Sequence, residues 1–181
     1  TLNFNKDIGD HSFSAVGGFA YEQWNRESST LEAAGFTNDN IRTIPAANLV
    51  GGSTFETQEK LVSYLGRLNY AYSNKYLVSL SARTDGSSKF GPDKKFGFFP
   101  AASVGWVASE EEFLRNVDAL DYLKFRFSYG VSGSNSGIGQ YDYIGRIEPV
   151  GAILNGSLVS GFNALNISNS ELGWEKLVEI N

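Results

Sequence analysis

Four stretches between residues 59 and 132 alternate apolar with polar or small residues, and each must hide one whole face from water. Residues 59–72 carry Val62, Tyr64, Leu68, Tyr70 and Tyr72 on one face, and Ser63, Leu65, Arg67, Asn69 and Ala71 on the other. After Ser73-Asn74-Lys75, a turn, residues 76–85 set Tyr76, Val78, Leu80 and Ala82 against Ser79, Ser81, Arg83 and Asp85. Residues 96–108 set Phe98, Ala102, Val104 and Trp106 against Gly97, Ala101, Ser103 and Gly105. Residues 122–132 set Leu123, Phe125, Phe127, Tyr129 and Val131 against Lys124, Arg126, Ser128, Gly130 and Ser132. Period two is the signature of half-buried strands.

Something must cover the apolar face. A second sheet does so in a secreted β-sandwich; lipid does so in a transmembrane barrel, whose other face looks into a polar lumen. Three features favour the barrel. The polar face mixes Gly, Ser and Ala with Arg67, Arg83, Asp85, Lys124 and Arg126, as a lumen wall would. The strands reach the roughly 9–11 residues that a tilted membrane strand needs. Tyr70, Tyr72, Tyr76 and Trp106 gather near strand ends, where an amphipathic ring suits the boundary between apolar and wet layers.

Further strands are expected at 1–8, at 12–27 and at 174–181, joined by a tight connection at Gly9-Asp10-His11 and by long irregular segments at 28–58 and 133–173. That makes about seven strands, all-β and antiparallel. Ser109 followed by Glu110-Glu111-Glu112 reads as a capping box opening a short helix with Phe113, Leu114 and Val117. Connections at 9–11, 73–75 and 109–121 are compact; those at 28–58, 86–95 and 133–173 are longer. Outer-membrane barrels sort their loops in this way, with short periplasmic turns and long extracellular loops, and a sandwich has no reason to. The alternation is already under way at Thr1 and still running at Asn181, which reads as an internal piece of a longer protein.

Composition narrows the chemistry. A net charge of −5 without a basic stripe argues against nucleic acid as a partner. Cysteine is absent, so the 181 residues hold no disulfide and no thiolate metal site. His11 is the one histidine and lies beside a tight turn, so no His-based acyl-transfer triad fits elsewhere. Gly130-Val131-Ser132-Gly133 is one residue short of a nucleophile elbow, Gly137-Ile138-Gly139 lacks the third glycine of a dinucleotide fingerprint, and Asn38-Asp39-Asn40 has too few acids for a Ca²⁺ loop. No catalytic, cofactor or metal residue is assigned, and the chain is read as a non-enzyme.

Several stretches, in order and at matching spacing, resemble the SusC/RagA family of TonB-dependent outer-membrane transporters of Bacteroidetes. They are Tyr64-Leu65-Gly66-Arg67-Leu68-Asn69-Tyr70-Ala71-Tyr72, Arg83-Thr84-Asp85-Gly86-Ser87-Ser88-Lys89-Phe90-Gly91, and Phe99-Pro100-Ala101-Ala102-Ser103-Val104-Gly105-Trp106. Ser109-Glu110-Glu111-Glu112-Phe113-Leu114, Leu123-Lys124-Phe125-Arg126, Ser128-Tyr129-Gly130-Val131-Ser132-Gly133 and Glu171-Leu172-Gly173-Trp174-Glu175-Lys176 continue it.

The resemblance implies that residues 1–181 are part of a plugged barrel of roughly 22 strands, with the plug and the segment that TonB pulls outside this stretch. It implies residence in the Gram-negative outer membrane and energised uptake of oligosaccharides or peptides. Its implied partners are a SusD-like lipoprotein lid, the TonB complex and the lipid bilayer. Residues 28–58, 86–95 and 134–170 become lid- and ligand-facing candidates, and Arg67, Arg83, Asp85, Lys124 and Arg126 the lumen-facing ones. The plainer reading of those five charges is pairing with each other across strands, or with the plug. A secreted carbohydrate-binding sandwich and a passive porin-like barrel are the alternatives.

Overall fold

A computed structural model describes residues 1–41, 43–115 and 120–181. Its strands are β1 (Leu2–Ile8), β2 (His11–Ala34), β3 (Asn48–Tyr72), β4 (Tyr76–Ser87), β5 (Phe96–Val107), β6 (Lys124–Ser134), β7 (Ile147–Leu154), β8 (Ser157–Ala164) and β9 (Glu175–Ile180). The chain forms two compact units, Thr1–Glu22 with Lys60–Asn181, and Gln23–Glu59.

In the first unit a single antiparallel sheet runs in the order β1-β2-β3-β4-β5-β6-β9. Its register carries the apolar face unbroken from strand to strand. Leu68 lies opposite Leu80, Leu80 opposite Ala102, Ala102 opposite Tyr129, and Tyr129 opposite Ile180. A slip of one residue would turn every one of these side chains to the other face, so the alternation itself fixes the register. All seven strands expected from the sequence are present.

The apolar face is bare. Tyr64 is 53% exposed, Leu80 48% and Phe127 55%, values that the core of a folded sandwich would not show. Buried apolar residues among those described are Phe90, Phe99, Val107 and Ala108. The first two belong to a cluster beside Trp174. Removing each of those rings from water is worth roughly 1.5–3 kcal/mol.

Three expectations are corrected. The segment 28–58 is not a long loop: β2 runs to Ala34 and β3 starts at Asn48. In the second unit, Gln23–Glu59, these strand portions face each other, with Gln58 Nε2 donating to Asn25 Oδ1 at 3.1 Å and Gly52 against Leu31. Both faces of this ribbon are mostly exposed, so no single apolar side imposes a period of two on its sequence. The segment 133–173 is not mostly irregular either. It holds the β7–β8 hairpin, closed by Asn155-Gly156 with both residues at positive φ, the geometry of the favoured two-residue turn.

The capping box is the third. Ala108–Glu110 forms a 3-10 turn, and Leu114 and Arg115 both return their N–H groups to the Glu111 carbonyl. The Ser109 N–H donates to Leu123 O, while its hydroxyl is buried without a partner among the described residues. Val117, the last residue of the expected helix, lies outside the described residues.

Candidate functional site

The polar face of the first unit holds all five charged residues singled out from the sequence. Arg67, Arg83 and Asp85 line one cavity of about 740 Å³. Lys124 and Arg126 line another, next to Ser79, Ser103 and Asn69. Alternation places them there: Arg67 lies opposite Ser81, Arg83 opposite Leu65 and Phe99, and Arg126 opposite Gly105.

Among the described residues none of the five makes an ion pair across strands; pairing with the plug, the other half of the plainer expectation, concerns residues beyond 1–181. Arg83 instead pairs within its own strand. Its Nε donates to both carboxylate oxygens of Asp85, at 2.7 and 2.8 Å, and its Nη2 donates to Ser63 Oγ at 3.1 Å. Residues two apart on a strand share a face, so the pair needs no turn to bring it together. Asp85 is nearly buried, with its side chain 10% exposed, whereas that of Arg83 is 49% exposed. Arg67, Lys124 and Arg126 make no ion pair among the described residues.

Sequence reasoning missed the structure that walls this site on its long-loop side. Phe90 lies in the polar 88–95 loop yet is fully buried, its ring 5.3 Å from that of Trp174. Phe99 meets Trp174 edge-on at 5.4 Å. The Phe99 ring occupies the space that a Cβ on Gly97 or Gly133 would need, so these two positions are held to glycine by packing. Trp174 Nε1 donates to Lys95 O at 3.0 Å, and Asn135 Nδ2 to Ser87 Oγ at 3.2 Å, tying the β4–β5 loop to the segments after β6. A lone phenylalanine in an otherwise polar loop was the signal available.

The opposite, short-turn end carries a second missed device. The Glu111 carboxylate accepts from the Tyr76 hydroxyl at 2.6 Å and from Trp106 Nε1 at 3.0 Å, and pairs with Lys75 Nζ at 3.5 Å. The Tyr76 and Trp106 hydrogen bonds, aided by the Lys75 charge, hold the Glu111 carboxyl below its ordinary value. An aromatic row flanks it. His11 Nδ1 and the Tyr70 hydroxyl share a 2.9 Å hydrogen bond, Tyr72 stacks on Tyr76, and Trp106 stacks on Phe125.

No family model matches the chain. TonB-dependent receptor P39 of Formosa agariphila is 38% identical to it over 99% of its length, a match spanning 17% of that relative. TonB-dependent receptor SusC of Bacteroides thetaiotaomicron is 35% identical over 75% of the chain and 13% of that relative. Over nearly its whole length the chain is homologous to TonB-dependent receptors, SusC among them. It spans less than a fifth of the curated relatives it matches.

The fold agrees. The RagAB peptide transporter superposes with a TM-score of 0.85 over 98% of this chain and 20% of that chain, at 21% identity, and the RagAB peptide importer in its closed-closed state with 0.84. The seven-stranded sheet therefore has the fold of a segment of an outer-membrane β-barrel, and the bare apolar face is the one such a barrel turns to lipid.

Proposed function

We propose that this receptor segment forms part of the wall of an energised transporter, which carries oligosaccharides or peptides across the outer membrane under the pull of TonB. A SusD-like lipoprotein covers its long-loop end. The polar face, with Arg67, Arg83, Asp85, Lys124 and Arg126, is the lumen wall, and the plug and TonB-contacting segment lie in the part of the protein beyond residues 1–181. The observation that carries this reading is the 38% identity to a TonB-dependent receptor over 99% of the chain. The sorting of connections supports the orientation: the short turns at 9–10 and 73–75 sit at the aromatic, Glu111-bearing end, which is periplasmic in this reading.

The test is uptake by cells producing the full-length protein, given labelled oligosaccharides and peptides, with and without TonB. The expected result is cargo entry that stops when TonB is deleted, together with a lipoprotein that co-purifies from outer-membrane extracts. Cargo entry that persists without TonB would overturn energised transport and leave a passive pore. Recovery of the protein as a soluble monomer would overturn membrane transport altogether.

A further inference from the structure

The floor of the 740 Å³ cavity holds two guanidinium groups and one carboxylate, and that carboxylate is already engaged. Arg67 on β3 lies opposite Ser81, and Arg83 on β4 opposite Leu65. The two arginines are thus diagonal neighbours on one face, a separation of about 7–8 Å at the backbone that long side chains readily bridge. Asp85 and Ser63 grip Arg83 through Nε and one Nη2 hydrogen, which locks the plane of the guanidinium and leaves its Nη1 edge without a bond among the described residues. Arg67 has no hydrogen bond or ion pair among the described residues.

Glu179, a second carboxylate, lines an adjoining cavity with Arg67 and Arg126 and forms an ion pair with neither among the described residues. Ala101 and Ser81, small residues on the same face, keep the floor low, and Phe99 and Trp174 supply an aromatic wall. Planar forks of N–H donors match a carboxylate in two-pronged fashion. A concave site with an aromatic wall and a few convergent polar groups is the usual form of a small-ligand site.

We propose that Arg67 and Arg83 form a carboxylate-binding subsite for cargo, with a ring or apolar group of the same molecule lying against Phe99 and Trp174. The proposal rests on the transporter reading and narrows it: cargo that uses this wall carries a carboxylate.

Benzoate, an aromatic carboxylate, is the probe, and uncharged benzamide its control. Both are titrated by ligand-observed NMR into detergent-purified full-length protein without TonB. Benzoate binds and benzamide does not, and Arg67→Gln weakens benzoate at least about tenfold. Lys124→Gln, which lies in the other cavity, leaves binding unchanged. Arg67 bonds to no neighbour among the described residues, so its variant retains the heat-modifiable gel migration of the parent. Arg83→Lys, which keeps the charge but loses the fork, weakens benzoate less than Arg83→Gln does.

Two results would overturn the proposal. One is benzoate binding that is indifferent to both arginines. The other is a parent protein that does not bind benzoate at all. In that second case, a melting point lowered by Arg67→Gln would identify a carboxylate from elsewhere in the same polypeptide as the true occupant of the pair. Because binding is read without TonB, its failure stays separate from a failure of TonB-dependent uptake.

Discussion

The two faces of β4 differ in how their side chains are satisfied, although they alternate along the same twelve residues. On one face Tyr76, Val78 and Leu80 lie opposite Trp106, Val104 and Ala102 on β5, and Tyr76 and Leu80 stay open to the outside. On the other, Ser79 Oγ donates to Asn69 Oδ1 at 2.7 Å and Arg83 is gripped by Asp85 and Ser63. The polar face completes its interactions largely within the sheet. The apolar face leaves its burial incomplete, because the medium that would bury it is not protein. A water-soluble sheet would show the reverse, with the greasy side covered and the polar side bare.

Substitutions on the two faces sharpen or break that contrast. The largest effect belongs to the small core on the polar face. Phe99→Ala removes a buried ring against Trp174 and lowers the unfolding free energy of the full-length protein by about 3–5 kcal/mol. Phe98→Ala, one residue along and outward, costs much less in the same denaturant titration. Equal losses would mean that both faces are packed cores.

Next comes charge placed in lipid. Leu80→Arg, in the middle of β4, costs about 2–4 kcal/mol in refolding into bilayers. The same change at Ser81 leaves the midpoint nearly unmoved. A Leu80→Arg protein as stable as its Ser81→Arg counterpart would break the comparison outright.

The smallest effect is at the short-turn end. The Glu111 carboxyl titrates below its unfolded value, so the stability it contributes is present above the ordinary carboxylate range and is lost as pH falls through the depressed folded value. Melting curves of the parent protein therefore fall on acidification below about pH 4, and in Glu111→Gln that component of the fall disappears. An unchanged acid limb in the variant would mean that Tyr76 and Trp106 do not depend on this carboxylate.

How much of this was legible in the sequence follows from the same contrast. Strands with one apolar and one polar face announced themselves, so β4, β5 and β6 were placed to within two residues at either end. The distal parts of β2 and β3, between Gln23 and Glu59, have no such asymmetry, and their pairing is carried by the backbone, which leaves no mark on residue type. The β7–β8 hairpin was legible and overlooked: Asn155-Gly156 stands between Ile153-Leu154 and Leu158-Val159, a two-residue turn signal between apolar runs.

That the five charged residues share a face was legible because parity alone puts them there. Their partners were not. The bond from Arg83 to Ser63 and the closing of Phe90 and Phe99 on Trp174 depend on register and loop closure over tens of residues. Glu111 was misread for a related reason. Its three neighbours in sequence fit a helix start, while the groups it binds, Tyr76 and Trp106, arrive from two strands whose register sets them opposite each other.

The most direct test of the lipid-facing assignment is a scan of single spin labels along β4 of the full-length protein in liposomes, with cysteines introduced in turn at Val78, Ser79, Leu80, Ser81 and Ala82. These 181 residues contain no cysteine to interfere. Accessibility to oxygen, which concentrates in lipid, and to a water-soluble nickel complex is then read at each site. The account predicts a strict period of two, with oxygen favoured at 78, 80 and 82 and nickel favoured at 79 and 81. Protection of 78, 80 and 82 from both reagents would place those side chains in a protein core and contradict it.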